Sequence, residues 1–181
     1  MKTIYTIGHS TRPAEEFISL LQSAGIRVLA DVRAYPASRR HPQFGRAALA
    51  ESLGAHGIEY IWLGAALGGH REPRADTVNT GLAPMWRGYA DHTQTQAYRD
   101  GLAHLEERAL TQPVAYMCAE RDPADCHRNL ISDSLTSRDW KVVHLIGAKE
   151  KREHRLHLAA RESANGLIYP SPSQQQLGLG F

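Results

Sequence analysis

The chain has 181 residues, 42% of them hydrophobic and 22% charged, with a formal net charge of +2. This composition is typical of one globular domain and excludes a disordered, fibrous or strongly charged chain. Two cysteines are too few for a disulfide scaffold, and neither a signal peptide nor an apolar run of the roughly 20 residues that span a membrane is present, so we expect a cytoplasmic protein without a membrane partner.

Strands and helices alternate along the chain. Stretches rich in β-branched and aromatic residues predict strands at residues 3–7, 27–32, 58–62, 114–118 and 142–146. Apolar residues at helical spacing predict helices at residues 13–24, 46–55, 95–110, 129–138 and 149–162. The alternation predicts a three-layer, Rossmann-like α/β fold, in which helices flank a mainly parallel sheet of about five strands. The first two strands are expected to form a parallel pair.

Two segments fall outside this alternation. Residues 64–91 are rich in glycine, proline and charge, and a loop of that length in a compact domain is usually functional or mobile. We expect it to close over a ligand, with Trp86 and Tyr89 available to stack on a base. The chain is therefore expected to form one α/β domain over residues 1–168, followed by a polar tail at residues 169–181.

Polar side chains follow three of the predicted strands. In open parallel sheets, ligands bind beyond the carboxyl ends of the strands, near a switch in strand order. The candidates there are His9 and Ser10 after the first strand, Asp31, Arg33 and Ser38 after the second, and Cys118, Glu120, Cys126, His127 and Arg128 after the fourth. We expect these groups to share one site. Asp31 as a turn residue and His9 as an ordinary loop histidine remain alternatives.

The segment from Cys118 to Arg128 carries the strongest chemical signal. It places Cys126, His127 and Arg128 in the first turn of a predicted helix, where unpaired backbone N–H groups favour anions. A thiol in that position, beside a histidine and an arginine, should favour its thiolate form. Cys118 has the alternative role of a small buried apolar residue.

Three chemistries are compatible with these residues. In the first, one cysteine is a nucleophile, His127 or His9 is its base, and Arg128 or Arg33 holds an anionic substrate. In the second, the two cysteines cycle between dithiol and disulfide, although their spacing is unlike C-x-x-C. In the third, both cysteines and His127 bind a metal together with Glu120 or His9, although adjacent Cys-His is an awkward spacing. We assign no metal ligand and name no cofactor.

Four motifs together resemble the family known as domain of unknown function 488. They are TIGHS at residues 6–10, DVRAYPAS at 31–38, LGAALGG at 63–69 and C-x-E-x5-CHR at 118–128. The later pair His144 and His154 also resembles that family's pattern. The resemblance implies a Rossmann-like α/β fold and adds Gly68 and Gly69 to the candidate site, but it implies no particular reaction.

We expect an enzyme that acts on a phosphate-bearing substrate, with a nucleotide or nucleic acid as the favoured partner. Arginine forks suit phosphate oxygens, and the arginines near the acid–base candidates are Arg12, Arg33, Arg39, Arg40 and Arg128. The catalytic candidates are Cys118, Glu120, Cys126, His127, Asp31 and His9. The substrate-binding candidates are Ser10, Arg33, Ser38, Arg128, Gly68 and Gly69. A thiol-redox or metal-binding protein is an alternative.

A binding module is an alternative from a different class. The last six residues, Gln176 to Phe181, resemble the peptide by which bacterial DNA polymerases and repair proteins hold the sliding clamp. The same residues could instead be an ordinary tail that covers an apolar patch. If they bind the clamp, the domain is an accessory module in DNA repair.

Overall fold

A six-stranded, mainly parallel sheet forms the middle layer of the protein, in a computed structural model that describes residues 2–173. In chain order its strands are β1 (Lys2–Gly8), β2 (Val28–Asp31), β3 (Glu59–Trp62), β4 (Val114–Cys118), β5 (Trp140–Gly147) and β6 (Glu150–Glu153). In space they lie in the order β3-β2-β4-β1-β5-β6. All neighbours pair in parallel except β5 and β6, which are antiparallel.

Helices pack on both faces of this sheet. Within the described residues the α-helices are α1 (Ala14–Ser23), α2 (Arg46–Gly54), α3 (Gly64–Leu67), α4 (Pro84–Thr93), α5 (Gln96–Thr111) and α6 (Arg128–Thr136), and short 3-10 helices lie at Pro42–Phe44 and Pro123–Asp125. Side chains of β4 alternate between two cores: Tyr116 packs with α5 and α6, whereas Met117 packs with α1 and α2. The predicted three-layer, Rossmann-like α/β fold is confirmed.

The order of the central strands differs from the prediction. The first two strands were expected to pair, but β4 lies between them and pairs with both β1 and β2. The chain reaches that position through α5, which carries it from the edge strand β3 back to the centre of the sheet. The predicted pairing of strands one and two is therefore wrong, although both belong to the same parallel sheet.

The predicted C-terminal helix at residues 149–162 is also wrong. Residues in this stretch form β6 and then β7 (Arg161–Ser163), which pairs antiparallel with β8 (Gly166–Ile168). Every residue of β6 is exposed, and the following Leu158 is 93% exposed. Because the stretch has no apolar stripe to bury, a helix there would gain little from packing, whereas an edge strand pairs its backbone with β5.

The long glycine- and proline-rich segment is partly helical, since α3 and most of α4 lie within residues 64–91. The predicted tail starts with a buried residue, because Tyr169 is fully buried and its backbone N–H donates to Asn79 Oδ1 at 2.8 Å. The clamp-like peptide Gln176 to Phe181 lies outside the described residues and stays a prediction. Across residues 2–173, no helix has the length and apolar content needed to cross a membrane.

Candidate functional site

The carboxyl ends of β1, β2 and β4 meet at one edge of the sheet. Gly8 lies opposite Cys118, and Asp31 lies opposite Met117. After β1 the chain turns to α1 on one face, whereas after β4 it turns to α6 on the other face. The two connections therefore separate and leave a crevice, which is the position where open α/β sheets bind ligands.

This crevice opens into a cleft of about 990 Å³. Nine of the predicted site residues line it: His9, Ser10, Arg33, Ser38, Gly69, Cys118, Glu120, Cys126 and His127. Asp31, Arg128 and Gly68 are absent from the lining; Asp31 and Arg128 are fully buried. Arg12, expected in the arginine cluster, is also buried and bonds to Glu16 at 2.7 Å.

The buried carboxylate of Asp31 holds Arg33 in position through hydrogen bonds. Its Oδ1 accepts from Arg33 Nε at 2.9 Å and its Oδ2 accepts from Arg33 Nη2 at 2.6 Å, while the Tyr60 hydroxyl donates to Oδ2 at 2.6 Å. Burial and then the bond to Asp31 raise the pKa of Tyr60 above its ordinary value. Both oxygens of Asp31 are thus occupied away from solvent, so this carboxylate orients Arg33, which lines the cleft.

Arg128 lies beneath Cys118 instead of facing the cleft. Its Nε donates to Cys118 Sγ at 3.0 Å, its Nη1 donates to Thr6 Oγ1 at 2.9 Å, and its Nη2 donates to the Glu120 carbonyl at 2.6 Å. The predicted role in substrate binding does not fit this position, because the guanidinium is buried and its nitrogens are engaged inside the protein. Burial lowers the pKa of Arg128 to about 10, so the group stays charged at neutral pH.

The guanidinium of Arg128 has no carboxylate partner within residues 2–173. A buried cation without a counter-ion is costly, and an anion at the end of its N–H group would offset that cost. The sulfur of Cys118 occupies that position. Once its disulfide with Cys126 is reduced, this geometry favours the thiolate form of Cys118, whereas the sequence pointed to Cys126 as the activated thiol.

Cys126 stands directly against Cys118. The structure pairs their Sγ atoms as a disulfide, with the two Cα atoms 7.5 Å apart. The helix α6 begins at Arg128, so Cys126 precedes the helix instead of lying in its first turn. The Arg128 backbone N–H still points to Cys126 Sγ at 3.4 Å, and His127 Nδ1 lies 3.6 Å from that sulfur.

The tautomer of His127 follows from its hydrogen bonds. Its Nε2 lies 3.0 Å from the Val32 carbonyl, which can only accept, so Nε2 carries the hydrogen. Nδ1 is then a free acceptor facing Cys126. Burial is the main cause that lowers the pKa of His127 to about 4. Gly69 permits this arrangement, because a Cβ there would stand 3.1 Å from the imidazole Nδ1.

His9 forms the opposite wall with a similar fixed tautomer. Its Nδ1 donates to the Ser10 carbonyl at 2.8 Å, and its ring stacks on Phe44 with centroids 4.5 Å apart. Its Nε2 makes no hydrogen bond to any described residue. Burial lowers the pKa of His9 to about 4, so this nitrogen is a neutral acceptor at the cleft. The neighbouring Ser10 has a φ of 48°, a left-handed conformation that is uncommon outside glycine.

The rim of the cleft contains residues that the sequence pattern did not single out. Tyr35 is 78% exposed and Met85 is 73% exposed, and both line the cleft together with Arg71. Trp86 and Tyr89, which were predicted to stack on a base, both line the cleft, but Tyr89 is buried and its hydroxyl donates to the Leu67 carbonyl at 2.7 Å. Tyr35 lies within the DVRAYPAS motif, which was the one available signal.

Two of the predicted residues have supporting positions at or near the cleft. Ser38 Oγ accepts from the His41 backbone N–H at 2.9 Å and so holds the turn that carries Arg39 and Arg40. Gly68 packs against Ala34, where a Cβ would collide with the Gly64 carbonyl. Among residues 2–173, no group of three or more His, Cys, Asp and Glu side chains is arranged to hold a metal ion.

A family model described as Domain of unknown function DUF488 matches residues 13–135. The chain belongs to this family. The DUF488 match covers α1 through most of α6, including Arg33, Cys118 and Arg128, while His9 and Ser10 precede it. No curated protein and no solved structure matches the chain significantly. Membership confirms the resemblance carried by the sequence motifs and assigns no activity.

Proposed function

We propose that this DUF488 protein is an enzyme that binds a phosphate-bearing substrate, a nucleotide or nucleic acid, in the cleft and attacks it with the Cys118 thiolate. The observation that carries this proposal is the 3.0 Å contact from Arg128 Nε to Cys118 Sγ. A buried guanidinium without a carboxylate partner supplies a reason for the sulfur to be ionised, and an ionised sulfur at a cleft wall is a nucleophile.

Arginines at the cleft support the choice of a phosphate-bearing substrate. Arg33, Arg39, Arg40 and Arg71 line it. Arg39 and Arg40 are exposed and make no hydrogen bond to the described residues, so their forks are available for phosphate oxygens. The exposed ring of Tyr35 offers a flat surface on which a base can stack.

The proposed reaction has two steps. Cys118 Sγ forms a bond to an electrophilic atom of the substrate while the bond to the leaving group breaks, and the leaving group departs with its electron pair and takes a proton from water. A second water then attacks the same atom, and the bond to Sγ breaks with its electron pair returning to sulfur, which frees the product and restores the thiolate. His9 Nε2 takes the proton of this water and passes it to the hydroxide left by the first step. Neutral His9 suits this role because its Nε2 lone pair is unoccupied.

Ligand binding tests the substrate class. Isothermal calorimetry with inorganic phosphate, a nucleoside triphosphate and a short single-stranded oligonucleotide should detect binding to the wild-type protein. Arg40→Gln should weaken binding about tenfold, the value of one charge-assisted hydrogen bond. Arg27→Gln is the matched control, because Arg27 is equally exposed but precedes β2 at the opposite end of the sheet. Absence of binding by all three probes would end the proposal.

The nucleophile is tested by mass spectrometry on any probe that binds and turns over. A substrate-derived mass on Cys118, lost in Cys118→Ser while calorimetric binding persists, is the expected result. A mass on Cys126 alone, or turnover that survives in Cys118→Ser, would contradict the assignment of Cys118.

Direct contact between the two sulfurs favours a second candidate function, thiol–disulfide exchange. In that reaction the two thiols give two electrons and two protons to a disulfide of a partner, which becomes two thiols. The structure holds the oxidised form of this pair, in which Cys118 and Cys126 are joined. Equilibration with glutathione buffers of graded ratio, followed by alkylation, should trap an internal disulfide that Cys126→Ser abolishes. Free thiols at every ratio would exclude this function.

A further inference from the structure

We infer that Thr6, His144, His154 and Asp133 form a buried relay that holds the guanidinium of Arg128 against Cys118, and that these four are positioning residues for the thiolate. The catalytic use of that thiolate rests on the proposed function, whereas the effect of the relay on the charge of Cys118 does not.

The relay is a continuous chain of hydrogen bonds. Arg128 Nη1 lies 2.9 Å from Thr6 Oγ1, which lies 2.8 Å from His144 Nδ1. His144 Nε2 lies 3.0 Å from His154 Nδ1, and His154 Nε2 lies 2.8 Å from Asp133 Oδ1. Thr6, Arg128, Asp133 and His144 are buried, and the side chain of His154 is 4% exposed. The chain joins β1, β5, α6 and the residue after β6.

The two ends of the relay set the direction of every hydrogen bond. Arginine can only donate, so Thr6 accepts from Arg128, and its own hydroxyl hydrogen points to His144 Nδ1. His144 Nε2 then carries a hydrogen and donates to His154 Nδ1, and His154 Nε2 donates to the Asp133 carboxylate. In this order every hydrogen has an acceptor. With His154 protonated the order would reverse, and the Thr6 hydrogen would have no acceptor among the described residues.

The relay also links two buried charges that do not touch. Asp133 accepts further hydrogen bonds from the His157 backbone N–H and the Tyr169 hydroxyl, both at 3.0 Å, and has no lysine or arginine partner within residues 2–173. At the opposite end stands the unpaired guanidinium of Arg128. Neutral, polarised groups between them transmit part of the attraction and keep the guanidinium plane directed at Cys118.

The surroundings of His144 fit a neutral relay. Burial, followed by the neighbouring His154, Arg128 and Arg152, lowers the pKa of His144 to about 3. Asp122 is the opposing charge, and it pairs with Arg152 at the surface at 3.3 Å. No group of the relay reaches the cleft, so its role is to hold Arg128 and not to contact a substrate.

Thiolate absorbance in the ultraviolet tests the relay without any substrate. In a full-length Cys126→Ser protein kept reduced, Cys118 is the one thiol, and its absorbance reports its ionisation across pH. Thr6→Val keeps the side-chain shape and removes the hydroxyl, and it should move the equilibrium about tenfold towards the thiol. Thr6→Ser should restore it, and Asp133→Asn should move it in the direction of Thr6→Val.

Ser134→Ala is the matched control, because it removes the buried bond that the Tyr98 hydroxyl donates to Ser134 Oγ at 2.9 Å on the same helix but outside the relay. It should leave the titration of Cys118 unchanged. The relay is refuted if Thr6→Val titrates as its parent does, or if Ser134→Ala shifts the titration equally. If Asp133→Asn fails to fold, the Thr6 pair decides. If Thr6→Val shifts the titration of Cys118 while the wild-type protein binds no phosphate-bearing probe, the relay is supported and the proposed function is refuted.

Discussion

Replacing Arg128 by lysine tests how much the buried guanidinium contributes to the stability of the fold. The substitution keeps a positive charge and most of the side-chain volume but removes the planar fork. In the native protein the fork joins Cys118 Sγ, Thr6 Oγ1 and two carbonyl oxygens, those of Glu120 and Arg121, at 2.6–3.3 Å. A single ammonium group at the end of a flexible stem cannot reach partners on so many sides.

The expected cost follows from the hydrogen bonds lost. If lysine keeps two of the four contacts, two bonds to a charged donor disappear, each worth about 1.5 kcal/mol at the lower end of the usual range. The free energy of unfolding should therefore fall by about 3 kcal/mol, a large part of the total for a domain. The melting temperature should fall by about 6–12 °C for a chain of this length.

Urea denaturation followed by tryptophan fluorescence measures this change. The dependence of the free energy on urea concentration should stay constant, so that the midpoint alone reports stability. Arg152→Lys is the control, because Arg152 is half exposed and pairs with surface carboxylates, and its change should stay within about 0.5 kcal/mol. A loss below about 1 kcal/mol in Arg128→Lys would refute the view that these contacts satisfy the guanidinium.

Three further outcomes are expected. Gly8→Ala places a Cβ against the Glu120 carbonyl and should lower the melting temperature by the equivalent of about 1–3 kcal/mol, whereas Gly54→Ala, in open space, should not lower it. Tyr60→Phe removes a 2.6 Å bond to the buried aspartate beneath the cleft and should cost about 1–2 kcal/mol in urea denaturation; an unchanged midpoint would contradict this. Because burial lowers the pKa of His127 from 6.5 to about 4, the unfolded chain binds a proton that the native protein does not between these values. Stability should therefore fall as the pH drops through that window, by up to about 1.4 kcal/mol per pH unit, and His127→Asn should reduce the slope measured by urea midpoints.

The strands and the location of the cleft were predictable because apolar β-rich stretches end in polar residues at the same side of a parallel sheet. Cys118 ends such a stretch, His9 and Arg33 follow two others, and the structure brings all three to one cleft. The order of the strands was not predictable in the same way, since the place of β4 depends on how α5 packs and not on any local pattern.

The burial of individual side chains also could not be predicted from the sequence. An arginine two residues after Cys126 reads equally well as a cleft residue or a buried one, and only packing decides. The relay was even less predictable from the sequence. Thr6 bonds to Arg128 and His144, which lie 122 and 138 positions further along the chain. The spacing of apolar residues indicates which face of a helix or strand is buried, but it carries no information about hydrogen bonds between distant residues.

The edge strand β6 has a consequence for the solution behaviour of the protein. Its sequence, Glu150-Lys151-Arg152-Glu153, places four exposed charges along the outer border of the sheet. Those charges discourage the unpaired backbone from adding a strand of another molecule, and β6 at the same time caps the apolar strand β5. A chain shortened to end before residue 150 would expose the apolar strand β5 as an edge strand, which would favour aggregation. It would also lose His154.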